Sequence, residues 1–330
     1  FNELSSNPAS IEGSKCLDAY GLLEGNDVEQ GDGEQSYIQA ELGDYTPDHG
    51  HMTEGRPKLI RTETWVRIPV EMRPKDDPKW KDLKDPVIKV KMALYGHPDS
   101  GGYWERHCDK VLKEIGFDPI HENWPSMYFN KGLKMMLMVY VDDFKLAGPK
   151  GNMKRAWDLI KRKITLGSTG PVHKYLGCNH VIKETLRNGK MRRTMHYDMT
   201  GFMKSCVQSY KDLCGDPEMK LRRVETPFLA TSVAPERDYN RGGDEITSDP
   251  LVEDEGEPGN LSKIACSVLM KILYGARVAR WDLLKATTRL AARVSKWTST
   301  CDRELHRLIC YIDSTWEDVL TGSMVNAISD

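Results

Sequence analysis

An apolar run, Met135-Met-Leu-Met-Val-Tyr-Val141, ends abruptly in two adjacent acids, Asp142 and Asp143, and the chain turns apolar again at Phe144-Lys-Leu-Ala147. The run is the longest of its kind in the chain and is far too short to span a bilayer, which takes about 20 residues. It reads as a buried strand, the acids as the tip of a tight hairpin, and Phe144–Ala147 as the returning arm. Two carboxylates on so short a turn repel, raise each other's pKa, and become costlier still when burial removes their solvent. A hard divalent cation, which prefers carboxylate oxygens, removes that penalty. Exposed Asp-Asp turns are common in loops. The apolar arms on both sides distinguish this one, because they hold the turn on a rigid scaffold.

Around this hairpin the pattern is mixed. Tyr37–Leu42, Thr64–Ile68 and Val87–Leu94 read as strands, and the Gly, Pro, Asp and His of 43–58 as an inserted loop. Tyr103, Trp104, His107, Cys108, Val111, Leu112 and Ile115 recur on one face of a helix over Gly101–Ile115, closed by Gly116. A second helix is expected over Met153–Ile164, with Asn152 as its N-cap. A third lies around Gly201–Leu213, and helices dominate from Ser262 onward. Residues 1–31 are polar and Gly/Ser/Asn-rich without a sustained period, so they read as poorly ordered. The order of elements between 32 and 177 is not a strict alternation, which favours an α+β fold with an antiparallel sheet over a doubly wound one.

Charge is distributed unevenly behind a net value of −2. Thirteen Lys and Arg against three acids fall between Lys150 and Lys204, whereas nine acids against two Arg crowd Glu236–Glu257. The basic stretch fits either a solvated helix face or a polyanion partner, and charge alone leaves both open. Eight scattered cysteines without a Cys-x-x-Cys pair read as reduced thiols in an intracellular protein. Cys178, His180 and His173 do not have the regular spacing of a zinc site. No secretory signal is visible, and the absence of an initiator Met points to a fragment. His107-Cys108-Asp109 is no protease triad, because adjacent helical residues point apart. Trp65, Trp104, Trp157, Trp281, Trp297 and Trp316 read as packing residues.

Tyr140-Val141-Asp142-Asp143 resembles the catalytic hairpin of the reverse transcriptases of copia-type (Ty1/copia) LTR retrotransposons. Lys91-Met-Ala-Leu-Tyr-Gly96, followed by Trp104, resembles that family's Lys-x-Ala-Leu-Tyr-Gly segment and the helix after it, and Glu63–Pro69 fits the preceding strand. Lys174-Tyr175-Leu176-Gly177 resembles the turn that leads into the thumb and helps hold the primer. Arg280-Trp281-Asp282 and the helix after it are similar to the connection toward a ribonuclease H domain, although no ribonuclease H or integrase sequence follows. The likeness is best from about Asp32 to Gly177.

The resemblance implies a polymerase palm with a ferredoxin-like core over 32–177, a thumb-like segment over 178–229, an acidic linker over 230–261 and a helical connection over 262–330. It implies an RNA-directed DNA polymerase that joins dNTPs to a primer 3′-OH by in-line attack, with two Mg²⁺ (or Mn²⁺) ions held by Asp32, Asp142 and Asp143. Asp32 enters because the family places a carboxylate five residues before an aromatic, here Tyr37, whose ring packs on the incoming sugar and can exclude a 2′-OH. Asp27 is the competing acid, and spacing favours Asp32. Gly96 and Asp99 would lie at the nucleotide, and Tyr140, Lys174, Tyr175, Leu176, Gly177, Arg192 and Arg193 along the template–primer. The implied partners are an RNA template, a DNA primer and dNTPs, with no membrane. The implied setting is a cytoplasmic virus-like particle or the nucleus, not secretion.

Several positions depart from the family. His97-Pro98-Asp99-Ser100-Gly101-Gly102 stands where Leu-Lys-Gln-Ala-Pro-Arg is common, so Asp99 replaces a Gln and Gly102 an Arg, with His97 placed to offset part of the added charge. Gly33 replaces a β-branched residue, and the fingers expected before Asp32 are not visible in the thirty-one residues that precede it. The chain is therefore expected to be inactive or very weak in isolation. The alternative is a catalytically dead palm that binds RNA or an RNA–DNA duplex through 150–204. A metal-dependent nuclease fits least, since no His or Lys base stands beside the acids.

Overall fold

Residues 8–33, which show no apolar period, form a helix and a strand. The computed structural model describes residues 8–42, 64–80, 83–187, 190–228 and 257–324. Ser10 caps helix α1 (Ile11–Gly21) by accepting the Gly13 N–H at 3.0 Å. The face that α1 buries consists of Gly13, Ser14, Leu17, Asp18 and Gly21; apart from Leu17 these side chains are small or polar and leave no hydrophobic stripe to read. A Cβ on Gly21 would stand 2.1 Å from Val28 Cγ2, so glycine lets α1 approach strand β1 (Asn26–Gly33). The expectation of a poorly ordered N-terminal segment is thus corrected for residues 8–31.

The chain divides into two compact units. The first comprises Phe1–His173, Glu184–Arg193 and Ser323–Asp330; the second comprises Lys174–Lys183 and Thr194–Gly322.

In the first unit the chain continues through β2 (Trp65–Arg67), β3 (Val87–Lys89), α2 (Ser100–Glu114), β4 (Asp118–Pro119), β5 (Met127–Asn130), β6 (Met135–Tyr140), β7 (Asp143–Pro149), α3 (Lys150–Lys161) and β8 (Leu166–Pro171). Six strands form a sheet in the order β4-β5-β6-β7-β1-β8, every neighbouring pair antiparallel. Without the short strands β4 and β5, the succession is β1-α2-β6-β7-α3-β8, with β7 and β1 at the centre. One sheet face contributes Leu137, Val139, Phe144 and Leu146 to a core shared with Trp104, Cys108 and Leu112 of α2 and Met153, Trp157 and Ile160 of α3. Side chains alternate across a strand, so Met138, Lys145 and Ala147 lie on the opposite face, against which α1 packs.

Several local expectations shift. Tyr37–Leu42 is not a strand. Gln35 takes a left-handed conformation (φ 50°), the Ser36 hydroxyl donates to the Gly33 carbonyl, and Ser36–Gln39 coils into a 3-10 turn, leaving Glu41 bridged to Met92. Val87–Leu94 is a strand only over β3, which pairs with β2 in a separate two-stranded ribbon. Its alternation is not burial, since Val87 and Ile88 are exposed. Helix α3 starts at Lys150, three residues early; Asn152 is no cap and its side-chain amide donates to the Leu133 carbonyl at 2.9 Å. Most of the expected insertion and acidic linker lies outside the described residues.

The second unit contains β9 (Lys174–Tyr175), α4 (Thr200–Leu213), α5 (Ser262–Val278), α6 (Leu284–Ala291) and α7 (Ser299–Ser314). Strands β10 (Cys178–Arg187), β11 (Lys190–Asp198) and β12 (Leu320–Met324) complete a four-stranded sheet in the order β12-β11-β10-β9. Met203 and Tyr210 of α4 share one core with Leu269 and Ile272 of α5 and Leu305 and Ile309 of α7. The segments expected to be a thumb-like piece and a separate helical connection therefore pack as a single body. Arg280, 2% exposed, is held by Asp282 at 2.9 and 2.7 Å and by the Thr315 carbonyl and hydroxyl, both at 2.8 Å. Trp104, Trp157 and Trp297 are buried as expected, but Trp65 and Trp281 are about half exposed, at 54% and 52%.

Candidate active site

Strand register brings the acids together. β1 pairs with β7 so that Asp32 faces Asp143 directly, and Tyr140 faces Asp143 from the other side across β6. Residues opposite each other in an antiparallel pair share a face. Asp142 sits in the turn between β6 and β7, where Val141 adopts φ +57°. Two bonds fix that turn. The Gly33 N–H donates to the Asp142 carbonyl at 2.7 Å, and the indole N–H of buried Trp104 donates to the Val141 carbonyl at 2.5 Å. Gly33 is explained by the same geometry: a Cβ there would stand 2.2 Å from Ser36 Oγ and 3.2 Å from the Asp142 carbonyl. A β-branched residue at this position would have to displace the Ser36 hydroxyl and crowd the Asp142 carbonyl.

The charges at this end of the sheet repel. Burial pushes the Asp143 carboxyl up to about 6, with Asp142 and Asp32 adding to the rise. Asp32 is also raised, by burial first and then by Asp142 and Glu34. Tyr37, in the 3-10 turn, has its hydroxyl raised by burial, by Asp142 and by Tyr95. The rings of Tyr37 and Tyr95 lie 4.6 Å apart, and Tyr95 is 59% exposed. Among the described residues no three His, Cys, Asp or Glu side chains are already gathered as metal ligands. The chemistry of the donor set, oxygen-only and mutually destabilising, nevertheless suits a hard divalent cation.

The remaining expected site residues separate into groups. Gly96 is exposed with φ +93°, a conformation that favours glycine. Asp99 precedes the first turn of α2, its carbonyl accepting the Tyr103 N–H. His97 does not pair with the Asp99 carboxylate; its Nδ1 accepts the Asp99 backbone N–H at 3.2 Å, and its Nε2 lies 3.2 Å from the Thr64 hydroxyl. Arg192 is half-buried and donates to the Ser323 hydroxyl. Arg193 is 12% exposed and acts as a structural clamp, donating to the Gly21 and Asn26 carbonyls, both at 2.8 Å, and pairing with Asp27 and Glu184. Lys154 and Lys163 are also engaged, with Asp158 and Glu114, whereas Arg155 and Arg162 of the α3 region are exposed. In the second unit, Lys174 is exposed, Tyr175 is buried, and Leu176 and Gly177 both have positive φ, 47° and 73°.

Sequence reading missed the pair beneath the site. Lys145, two residues after Asp143, is fully buried and meets the fully buried Asp18 of α1 at 2.6 Å, with Ser14 Oγ at 2.9 Å. The signal was present as a lone Lys between Phe144 and Leu146, inside an otherwise apolar arm. Its partner lay 127 residues away, where no pattern pointed to it.

Over 101 residues the chain is 31% identical to the transposon Ty5-1 protein YCL074W of Saccharomyces cerevisiae. The similarity is partial. It covers 29% of this chain, and the chain spans about a third (32%) of that protein's length. No family model matches the chain, and no solved structure matches it. Among the described residues, no helix is long and apolar enough to cross a membrane.

Proposed function

We propose that the first unit is a reverse-transcriptase palm of copia-type retrotransposon origin, built for metal-dependent transfer of dNTPs to a primer 3′-OH. The observation that carries this reading is the register of Asp32 against Asp143 beside the Asp142 turn. The β1-α2-β6-β7-α3-β8 order, with both connecting helices on one face, supports the reading, because a ferredoxin-like core has the same β-α-β-β-α-β succession. Such a core supports many activities, so the functional argument rests on the acids. The partial similarity to a Ty5-1 protein fits the same origin.

Asp32, Asp142 and Asp143 would hold Mg²⁺ or Mn²⁺, which when bound supplies charge neutralisation for phosphoryl transfer. The protein's part is to hold three carboxylates at one end of a rigid sheet. Tyr37, steadied by Tyr95, would present an aromatic face to a nucleotide sugar, and its bulk would oppose a 2′-OH. Exposed Arg155 and Arg162 would meet a phosphate backbone without reading sequence.

The test is Mn²⁺ titration of the purified chain followed by thermal melting, beside a primer-extension assay. Mn²⁺ at millimolar concentration should raise the midpoint of the wild type and not of Asp142→Asn, and any dNTP incorporation, expected to be weak, should vanish in the same variant. No Mn²⁺ response in the wild type, or an equal response in Asp142→Asn, defeats the proposal. The binding-only alternative is favoured by Asp99 and the exposed α3 arginines. It predicts salt-sensitive duplex binding that Asp142→Asn leaves unchanged.

A further inference from the structure

Two turns in this chain place consecutive functional candidates around left-handed residues, and each is tied to a helix by an aromatic donor. In the first unit the buried Trp104 of α2 donates its indole N–H to the carbonyl of Val141, the φ +57° residue before Asp142. In the second unit Tyr274 of α5 donates its hydroxyl to the carbonyl of Leu176, also at 2.5 Å. Leu176 and Gly177 form the left-handed pair of that turn, and a Cβ on Gly177 would come within 3.8 Å of the Tyr274 oxygen. The Tyr274 ring is itself set against Phe202 of α4, with centroids 5.4 Å apart. A non-glycine residue in the left-handed region is strained and persists only when its surroundings over-determine it. An outward-turned carbonyl at such a position also needs a donor. Trp104 and Tyr274 meet both requirements, Trp104 from 37 residues before its turn and Tyr274 from 98 residues after its own.

We propose that Trp104 and Tyr274 are positioning residues, Trp104 for the Asp142-Asp143 hairpin and Tyr274 for the Lys174–Gly177 turn as a nucleic-acid contact. The roles rest on the reading given under Proposed function; the latches themselves rest on geometry. Tyr274→Phe removes the donor and keeps the ring, so the turn should loosen while the helix stays packed. Trp104→Phe removes the donor together with part of a buried indole, so its effect is read locally at the turn. An isolated hydrogen bond of this kind shifts a local opening equilibrium by about fivefold.

Hydrogen–deuterium exchange of the full chain, read by peptide, compares the wild type with Trp104→Phe and Tyr274→Phe. Tyr274→Phe should raise exchange about fivefold in peptides spanning 174–178, with the α4 peptides unchanged. Trp104→Phe should do the same for 139–144, with the α3 peptides unchanged. In parallel, Tyr274→Phe should weaken binding of an RNA–DNA duplex without loss of the thermal midpoint measured in the absence of ligand. Trp104→Phe, which also opens a cavity in the core and lowers that midpoint, should weaken Mn²⁺ binding measured at a temperature where the variant is fully folded. Unchanged exchange in either variant overturns that latch. Faster exchange with unaltered duplex or Mn²⁺ affinity leaves a structural bond and overturns the positioning role. If the wild type binds neither probe, the functional reading fails and the positioning roles fail with it, while the exchange data still decide the latches.

Discussion

Strand β1 carries an aspartate near each end, five residues apart, and the fold treats the two in opposite ways. Asp27 is neutralised: Arg193 reaches it at 3.2 Å and Lys150 at 3.7 Å, and its carboxylate accepts the Val28 N–H at 3.0 Å. Asp32 faces Asp143, and the charges that act on it are those of Asp142 and Glu34. The same contrast recurs on β7. Lys145 and Asp143 share a face; one is sealed into a pair with Asp18, and the other has its pKa raised by burial first and by Asp142 and Asp32 after it. Charge that belongs to the scaffold is matched from within, whereas charge at one end of the sheet accumulates with a single sign. Asp27 and Asp32 thus differ in charge environment as well as in their spacing to Tyr37.

The largest effect should come from the scaffold side of that contrast. Removing one member of a buried pair leaves an uncompensated interior charge, so Asp18→Asn or Lys145→Met should each cost about 3–5 kcal/mol in urea denaturation. Asp18→Leu combined with Lys145→Met should recover most of the loss. A double variant no better than the singles would show that shape, not charge, makes the pair necessary. Next in size, Arg193→Met should cost about 2 kcal/mol, because it strips charged hydrogen bonds from two backbone carbonyls and from Asp27. Exposed Arg155→Gln and Arg162→Gln should change stability by less than about 0.5 kcal/mol yet weaken duplex binding, and equal destabilisation by all three would erase the distinction between clamp and surface.

The last effect concerns pH. Folded Asp143 keeps its proton up to about pH 6, while an unperturbed Asp releases it near 3.8. Between those values the folded state binds more protons, so stability without divalent cations should fall as pH rises through the window. Asp143→Asn should flatten that slope and be at least as stable as the wild type at pH 7. A slope that is unchanged in the variant would place the titration elsewhere.

The hairpin, the two helices behind it and the basic run were legible because each leaves a one-dimensional pattern. Met135–Val141 is uninterrupted, and α2 and α3 carry their apolar residues at helical spacing. The first helix was not legible, since it buries Gly13, Ser14 and Asp18 against a lysine that only the fold brings near. β1 was equally obscure: in Asn26–Gly33 the sole apolar side chain is Val28, and pairing on both sides by β7 and β8 makes it a strand. Charge counting also overstated the exposed basic surface, because Arg193 is largely buried against Asp27 and two backbone carbonyls. Spacing to an aromatic favoured Asp32 over Asp27, but the aromatic itself lies in a 3-10 turn, not on a strand.

The buried Asp18–Lys145 contact also makes α1 and β7 a unit of inheritance. A recombination event with its breakpoint between Gly21 and Asn26 would join a foreign helix to this sheet. Unless that helix brought an acid to the place of Asp18, Lys145 would be stranded in the interior of every hybrid. Exchange of segments among related elements should therefore favour junctions that carry α1 and the hairpin together, or that lie beyond β8.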